Sequence, residues 1–232
     1  MDAYPWRRVT GFVEPLSDEW FECRRGRITA SERMHVAVYG TRKAKNKMLD
    51  DLEFELKSGQ DWNQSKFGES NKYTEWGNKH EAEALRSVEF MFDVNAYQPG
   101  LLVHEAVPII AVTPDFRVTK LTGQLAVTGE LKCPYYLRNH MKWVTDGVQA
   151  NPVYATQVQT QLLVTGDPLA WFCSYHPDLP PGDQLHREVV EPDLALHELM
   201  LEKAQEIADM LLSGRRYGTG RTVAATGIPQ IF

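Results

Sequence analysis

The stretch that most restricts this chain is residues 123–133, an apolar run that ends in Glu130-Leu131-Lys132. Leu125, Val127 and Leu131 are spaced for a strand, and Gly123 and Pro134 bracket them, so β structure is predicted rather than helix. Side chains two apart on a strand share a face. Glu130 and Lys132 are therefore expected to project together while Leu131 turns into the core. A second apolar run, residues 101–112, leads to Thr113-Pro114-Asp115 and is expected to deliver Asp115 to the end of the neighbouring strand. Two carboxylates at one point suit a hard divalent cation such as magnesium, which takes oxygen ligands and keeps several waters. A lysine beside that cation is disfavoured in its charged form and is placed to orient or deprotonate a water. The combination describes a metal-assisted phosphodiester hydrolase. On spacing alone it also describes a strand edge at the surface with an ordinary turn before it.

Composition narrows the frame. The 232 residues are 43% hydrophobic, enough for one sizeable core, so one domain is the expectation. No run of about 18 apolar residues occurs, so no membrane-spanning helix is expected. The first eight residues lack the apolar centre of a secretion signal. Cys23, Cys133 and Cys173 form no Cys-x-x-Cys pair, which predicts neither disulfides nor a zinc or iron–sulfur site and fits a reducing cytoplasm. The formal net charge of −6 is unlike a generic nucleic-acid binder. Residues 24–47, however, carry eight Lys or Arg against the single acid Glu32, a concentration that either faces a polyanion or forms a solvated basic face.

Taken in order, residues 1–18 read as an irregular arm broken by Pro5 and Pro15. Thr29 followed by Glu32 matches a capping box, so a helix is predicted to begin at Thr29 and to carry Met34, Val36 and Val38. Ser31 then falls in the first turn, where unpaired N–H groups favour an anion, and Arg24 is placed to grip a phosphate. Residues 57–72 read as a long loop with Trp62 and Phe67 embedded. A helical pattern starts at Thr74 and carries Glu81. Residues 154–164 read as a helix ending at Gly166, with Gln157 and Gln161 one turn apart on one face, either solvated or holding phosphate oxygens or a metal-bound water. Residues 169–175 read as a strand. A last helix opening at Pro192 is expected to bury a stripe of Leu194, Leu199, Ile207, Ala208 and Leu211. Residues 213–232 read as a Gly- and Thr-rich tail with Arg215, Arg216 and Arg221, outside a domain of residues 1–212 and expected to be disordered or to track a partner.

Five pieces of this sequence, in order, resemble the phage lambda-type exonucleases, the viral-recombinase branch of the PD-(D/E)xK nucleases. They are Trp20 with Arg24-x-Gly26-x-Ile28-Thr29-Ala30-Ser31, Trp76-Gly77-x-x-x-Glu81, Pro114-Asp115, Glu130-Leu131-Lys132-Cys133-Pro134, and Tyr154-x-x-Gln157-Val158-Gln159. The resemblance implies a single α/β domain with a central mixed sheet flanked by helices, a restriction-endonuclease-like core. It implies a magnesium-dependent 5′→3′ exonuclease acting on duplex DNA ends, with two ions about 4 Å apart and manganese as a substitute. By resemblance, Asp115, Glu130 and the Leu131 carbonyl hold metal, and Glu81 helps with the second ion. Lys132 activates water, and Gln157 positions it or the scissile phosphate. Arg24, Ser31 and Thr113 bind the 5′-terminal phosphate; Thr113 stands where the family more usually has Ser. The family assembles as a ring-shaped homotrimer and passes its single-stranded product to an annealing protein, in the cytoplasm of a bacterial host and from a phage or prophage gene. Its strand-separating wedge falls here at polar Thr74, which leaves Trp62 or Phe67 as candidates. A restriction-type endonuclease with the same core and a silent DNA-end-binding protein are the alternatives.

Overall fold

The computed structural model describes residues 5–60, 71–119 and 126–218. Along the chain these form α1 (Asp18–Arg24), β1 (Ile28–Thr29), α2 (Glu32–Tyr39), α3 (Arg42–Ser58), α4 (Lys72–Phe92), β2 (Asn95–Tyr97), β3 (Leu102–Val103), β4 (Ile110–Val112), β5 (Phe116–Thr119), β6 (Ala126–Lys132), α5 (Leu137–Asp146), a 3-10 turn (Val148–Ala150), α6 (Pro152–Thr165), β7 (Ala170–Tyr175), β8 (Leu185–Val190) and α7 (Leu194–Ser213). The expected α/β class with mixed sheets flanked by helices is observed. Among the described residues there are two sheets, and these residues form two compact units: residues 5–60, 100–113 and 193–218, and residues 71–99, 114–119 and 126–192.

In the first unit, β1 runs parallel to β4, and β3 pairs antiparallel on the other side of β4. This corrects the helix expected from Thr29. Thr29 lies on β1 opposite Ala111, with Ile28 N–H donating to the Ile109 carbonyl at 2.7 Å. Sheet pairing at Ile28 overrides the local capping signal, so α2 starts at Glu32 with Ser31 as its N-cap and no side-chain cap bond. The basic run is likewise partly internal. Arg27 is 1% exposed and its Nε donates to the Cys23 carbonyl, while Arg33 pairs with buried Glu55. Helix α3 closes on Gly59 in the left-handed conformation, the usual glycine stop. The first residues after α7 are tied to α3: Arg216 pairs with Asp50 and Glu53, and Tyr217 N–H donates to Asn46 Oδ1. Residues 213–218 are thus docked, and the rest of the expected tail lies outside the described residues. The stripe on α7 is also corrected. Leu194 is 71% exposed, and the buried set is His197, Met200, Ala204, Ile207, Ala208 and Leu211.

The second unit holds the predicted strand pair. Its sheet has the order β2-β5-β6-β7-β8, antiparallel except for the β6–β7 pair. Parallel neighbours need a long crossover, which α5 and α6 supply. Alternation along β6 sorts its side chains. Val127 and Leu131 join Trp171, Cys173 and Tyr175 of β7 and Ala84 and Val88 of α4 in one core. On the other face, Ala170 and Phe172 of β7 pack with Trp143 of α5 and Val158 and Leu162 of α6. Glu130 and Lys132, out of phase with Leu131, belong to this second face. A β-carbon at Gly129 would sit 2.1 Å from the ring of fully buried Phe116. Gly129→Ala is therefore expected to destabilise the protein by about 1–3 kcal/mol, the usual penalty of overpacking, measured by chemical denaturation.

Candidate active site

Antiparallel register places Phe116 across from Gly129, so Asp115 falls across from Glu130. The Asp115 N–H donates to the Gly129 carbonyl at 3.1 Å. Its carboxylate accepts the Leu131 N–H at 2.7 Å. The turn at Pro114-Asp115 is thereby fixed to β6, with its carboxyl beside that of Glu130. Glu130 is fully buried and no oxygen of its carboxylate is idle. Oε1 takes the Lys132 ammonium and the Gln157 amide (2.7 Å), and Oε2 takes the Gln161 amide (2.5 Å). A buried carboxylate needs such compensation, because stripping its water otherwise costs several kcal/mol (~ per ion).

The electrostatics follow from this crowding. Burial first, and then the neighbouring Glu130 charge, push the Asp115 carboxyl up to about 8, against opposing help from Lys132 and the Leu131 N–H. Burial works to lower Lys132, but the charges of Glu130 and Asp115 overcome it and leave its pKa raised. Lys132 is thus an ammonium in this state and acts as a donor. Its Nζ also lies 4.9 Å from the centre of the Tyr154 ring. Glu81, exposed on α4, adds its charge to those that raise Asp115 and the Cys133 thiol, the latter to about 12 mainly by burial.

The donor set suits a hard cation. Two adjacent carboxylates, one held against ionisation by burial and then by the other's charge, are what a divalent ion relieves. The Gln161 carbonyl oxygen beside them is buried without a partner. Among the described residues no group of three or more His, Cys, Asp or Glu lies close enough together to hold a metal ion.

The structure thus brings Asp115, Glu130, Lys132 and Gln157 together, while Glu81 stays exposed on α4 and reaches Asp115 only as the weakest of the charges acting on it. Leu131 enters through its N–H to Asp115. In the first unit, the Arg24 guanidinium lies 3.9 Å over the Trp20 ring, and Trp20 Nε1 donates to Thr113 Oγ1 at 3.0 Å. Parallel pairing of Thr29 with Ala111 means Ser31 and Thr113 leave the sheet at the same end, each two residues on. Trp62 and Phe67 lie outside the described residues. Gln161 and Tyr154 also join the site, the first donating to Glu130 and the second lying beside the Lys132 ammonium. The four-residue step from Gln157 to Gln161 signals the first, and the Tyr154-x-x-Gln157 piece of the resemblance signals the second.

Residues 19–168 match the YqaJ-like viral recombinase domain. The chain belongs to this family. All the candidate residues of this YqaJ-like recombinase fall inside the matched span. No curated protein matches the sequence. Among solved structures, its fold is shared with an alkaline exonuclease, LHK-Exo, from Laribacter hongkongensis, at 24% identity and a TM-score of 0.71, over 84% of this chain and 92% of that one. The same exonuclease in complex with dAMP matches at 25% identity over the same shares, also with a TM-score of 0.71. A phage-related exonuclease from Haemophilus somnus 129PT matches at 16% identity and a TM-score of 0.56, over 75% of this chain and 84% of that one. The resemblance to phage-type exonucleases holds, the fold is of the PD-(D/E)xK type, and family and fold together support a nuclease role. No helix among the described residues is long and apolar enough to cross a membrane.

Proposed function

We propose that this YqaJ-like recombinase is a magnesium-dependent 5′→3′ exodeoxyribonuclease that degrades one strand of linear duplex DNA from 5′-phosphorylated ends. The observation that carries the reading is the pair Asp115 and Glu130, facing each other across two strands with Lys132 on the same side. That LHK-Exo is an alkaline exonuclease, with a dAMP complex, supports the same class of substrate here. Asp115, Glu130 and the Leu131 carbonyl would hold the metal, with Glu81 serving a second ion and manganese substituting. When bound, the ions supply Lewis acidity and neutralise charge developing on the phosphate.

The chain's own residues do the rest. A cation held by Asp115 and Glu130 would leave burial free to lower the Lys132 pKa, and its amine would then be the group that takes a proton from water. Gln157, anchored by its amide on Glu130, positions the water or the scissile phosphate. Arg24, Ser31 and Thr113 bind the 5′-terminal phosphate, with Trp20 fixing the first and the last. The product is a duplex with a 3′ single-stranded overhang, suited to recombination through a single-strand annealing protein in a bacterial host. A ring-shaped homotrimer threaded by DNA would give processivity.

Digestion of end-labelled linear duplex beside a closed circle, in magnesium and then in calcium, tests this reading. Linear DNA is expected to disappear in magnesium while the circle survives. Cutting of the circle would instead mark a restriction-type endonuclease. Arg24→Ala is expected to weaken the preference for phosphorylated over hydroxyl 5′ ends by about 1–3 kcal/mol, the scale of a charged hydrogen bond. Equal rates of wild type on the two ends would remove that pocket.

A further inference from the structure

Beyond the carboxylates, Lys132 borders a cleft of about 500 Å³ whose walls carry five aromatic rings: Tyr73 from α4, Tyr135 and Tyr136 before α5, Trp143 on α5 and Tyr154 on α6. Tyr73 and Tyr135 are 48% and 38% exposed, a large outlay of aromatic surface to water. The three tyrosines meet edge to face or tilted, with centroids 5.1–5.8 Å apart, and the Tyr73 and Tyr136 hydroxyls are 3.2 Å apart. Edge-to-face packing keeps the rings from stacking on one another. Cations border them. Lys72 Nζ lies 5.1 and 5.2 Å from the Tyr73 and Tyr135 centroids, and the Arg138 guanidinium 4.5 Å from Tyr136. Lys142 lines the cleft as well. No carboxylate among the described residues pairs with Lys72, Arg138 or Lys142.

Aromatic rings interleaved with cations are the composition that holds unpaired nucleic acid, the rings taking base faces and the cations the backbone. Along its length a duplex offers only base edges, so exposed rings find no base face to stack on there. The volume falls within the roughly 300–1,000 Å³ of small-ligand sites, room for a nucleotide rather than a helix. We propose that this tyrosine-lined cleft is a stacking subsite for an unpaired nucleobase of the strand presented to Lys132. The inference deepens the nuclease reading and takes the identity of the strand from it. Such a site favours an opened end over a paired one, since a base must leave its partner to enter.

A duplex with a 5′-phosphorylated end, two unpaired nucleotides and 2-aminopurine as one of them tests the assignment, in calcium. Stacking on tyrosine is expected to quench the probe, and the base-bearing end is expected to bind about 10-fold more tightly than the same end with abasic residues. Free 2-aminopurine nucleoside monophosphate is expected to compete only at far higher concentration, since it lacks the strand. Tyr73→Leu/Tyr135→Leu, both at half-exposed positions, is expected to lose the quench and the 10-fold preference, and Tyr73→Trp/Tyr135→Trp to keep both. Equal binding of base-bearing and abasic ends, or an undiminished quench in the leucine variant, would overturn the subsite. Wild-type hydrolysis of blunt duplex in magnesium is scored separately. Its absence beside an intact quench would strike the nuclease reading and leave the subsite standing.

Discussion

Lys132→Ala is expected to slow hydrolysis of linear duplex by about 10²–10⁴-fold, the range of a positioned proton-transfer group, while binding of the same duplex in calcium survives. The geometry makes a second, separable demand. Lys132 covers one oxygen of Glu130, which is fully buried. Removing one partner of a buried pair costs about 3–5 kcal/mol, but here Gln157 and Gln161 still hold the carboxylate, so the cost falls at the lower end. The variant is expected to melt several degrees below wild type in chelator and to recover most of that difference in magnesium, because a cation on Glu130 replaces the lost ammonium. Thermal melts with and without metal, beside single-turnover rates, read both effects. Equal turnover of wild type and variant would remove Lys132 from the chemistry. A stability loss that magnesium leaves untouched would argue against a metal on Glu130.

The parts of the site that the sequence disclosed are those governed by local periodicity. Glu130, Leu131 and Lys132 alternate on β6 because a strand has period two, and nothing elsewhere in the chain can change that. Gln157 and Gln161 share a face of α6 by the same logic, but their use is tertiary. Both amides are committed to Glu130, about thirty residues away in sequence, and an amide pair on a helix reads equally well as solvated. Helix α3 is the clearest omission. Its first half is Arg-Lys-Ala-Lys-Asn-Lys, with no apolar spacing to announce it, and its buried Met48, Leu49 and Leu52 come only afterwards. Thr29 shows the opposite failure, a strong local cap signal overruled by pairing with a strand eighty residues on. The tyrosine cleft, like the glutamine pair, is tertiary. Tyr135 and Tyr136 are adjacent, but Tyr73 reaches them from the start of α4, and only the fold joins them.

Asp115 supplies the other strong effect, through the linkage between its proton and stability. Its carboxyl is raised from an ordinary value near 3.8 to about 8, by burial and by Glu130. The folded protein therefore holds this proton more tightly than the unfolded chain does. Its stabilising contribution is complete below about pH 4, is lost as pH rises from there to about 8, and is constant beyond. Without metal, the melting temperature is expected to fall across that window by about 2–4 °C for each kcal/mol lost. Magnesium, which discharges the carboxylate pair, is expected to raise it by an increment that grows over the same range. The raised Lys132 titrates well above the window. His104 and His140, lowered by burial, act in the opposite sense, since a depressed histidine loses stability as pH falls. Asp115→Asn isolates the carboxyl from them: it keeps the acceptor for the Leu131 N–H and removes the charge facing Glu130. That variant is expected to melt above wild type at pH 8 in chelator, to gain little from magnesium, and to lose hydrolysis. A chelated Asn variant that melts at or below wild type at pH 8 would show that Asp115 and Glu130 do not strain one another, and with that the physical case for a cation between them would fail.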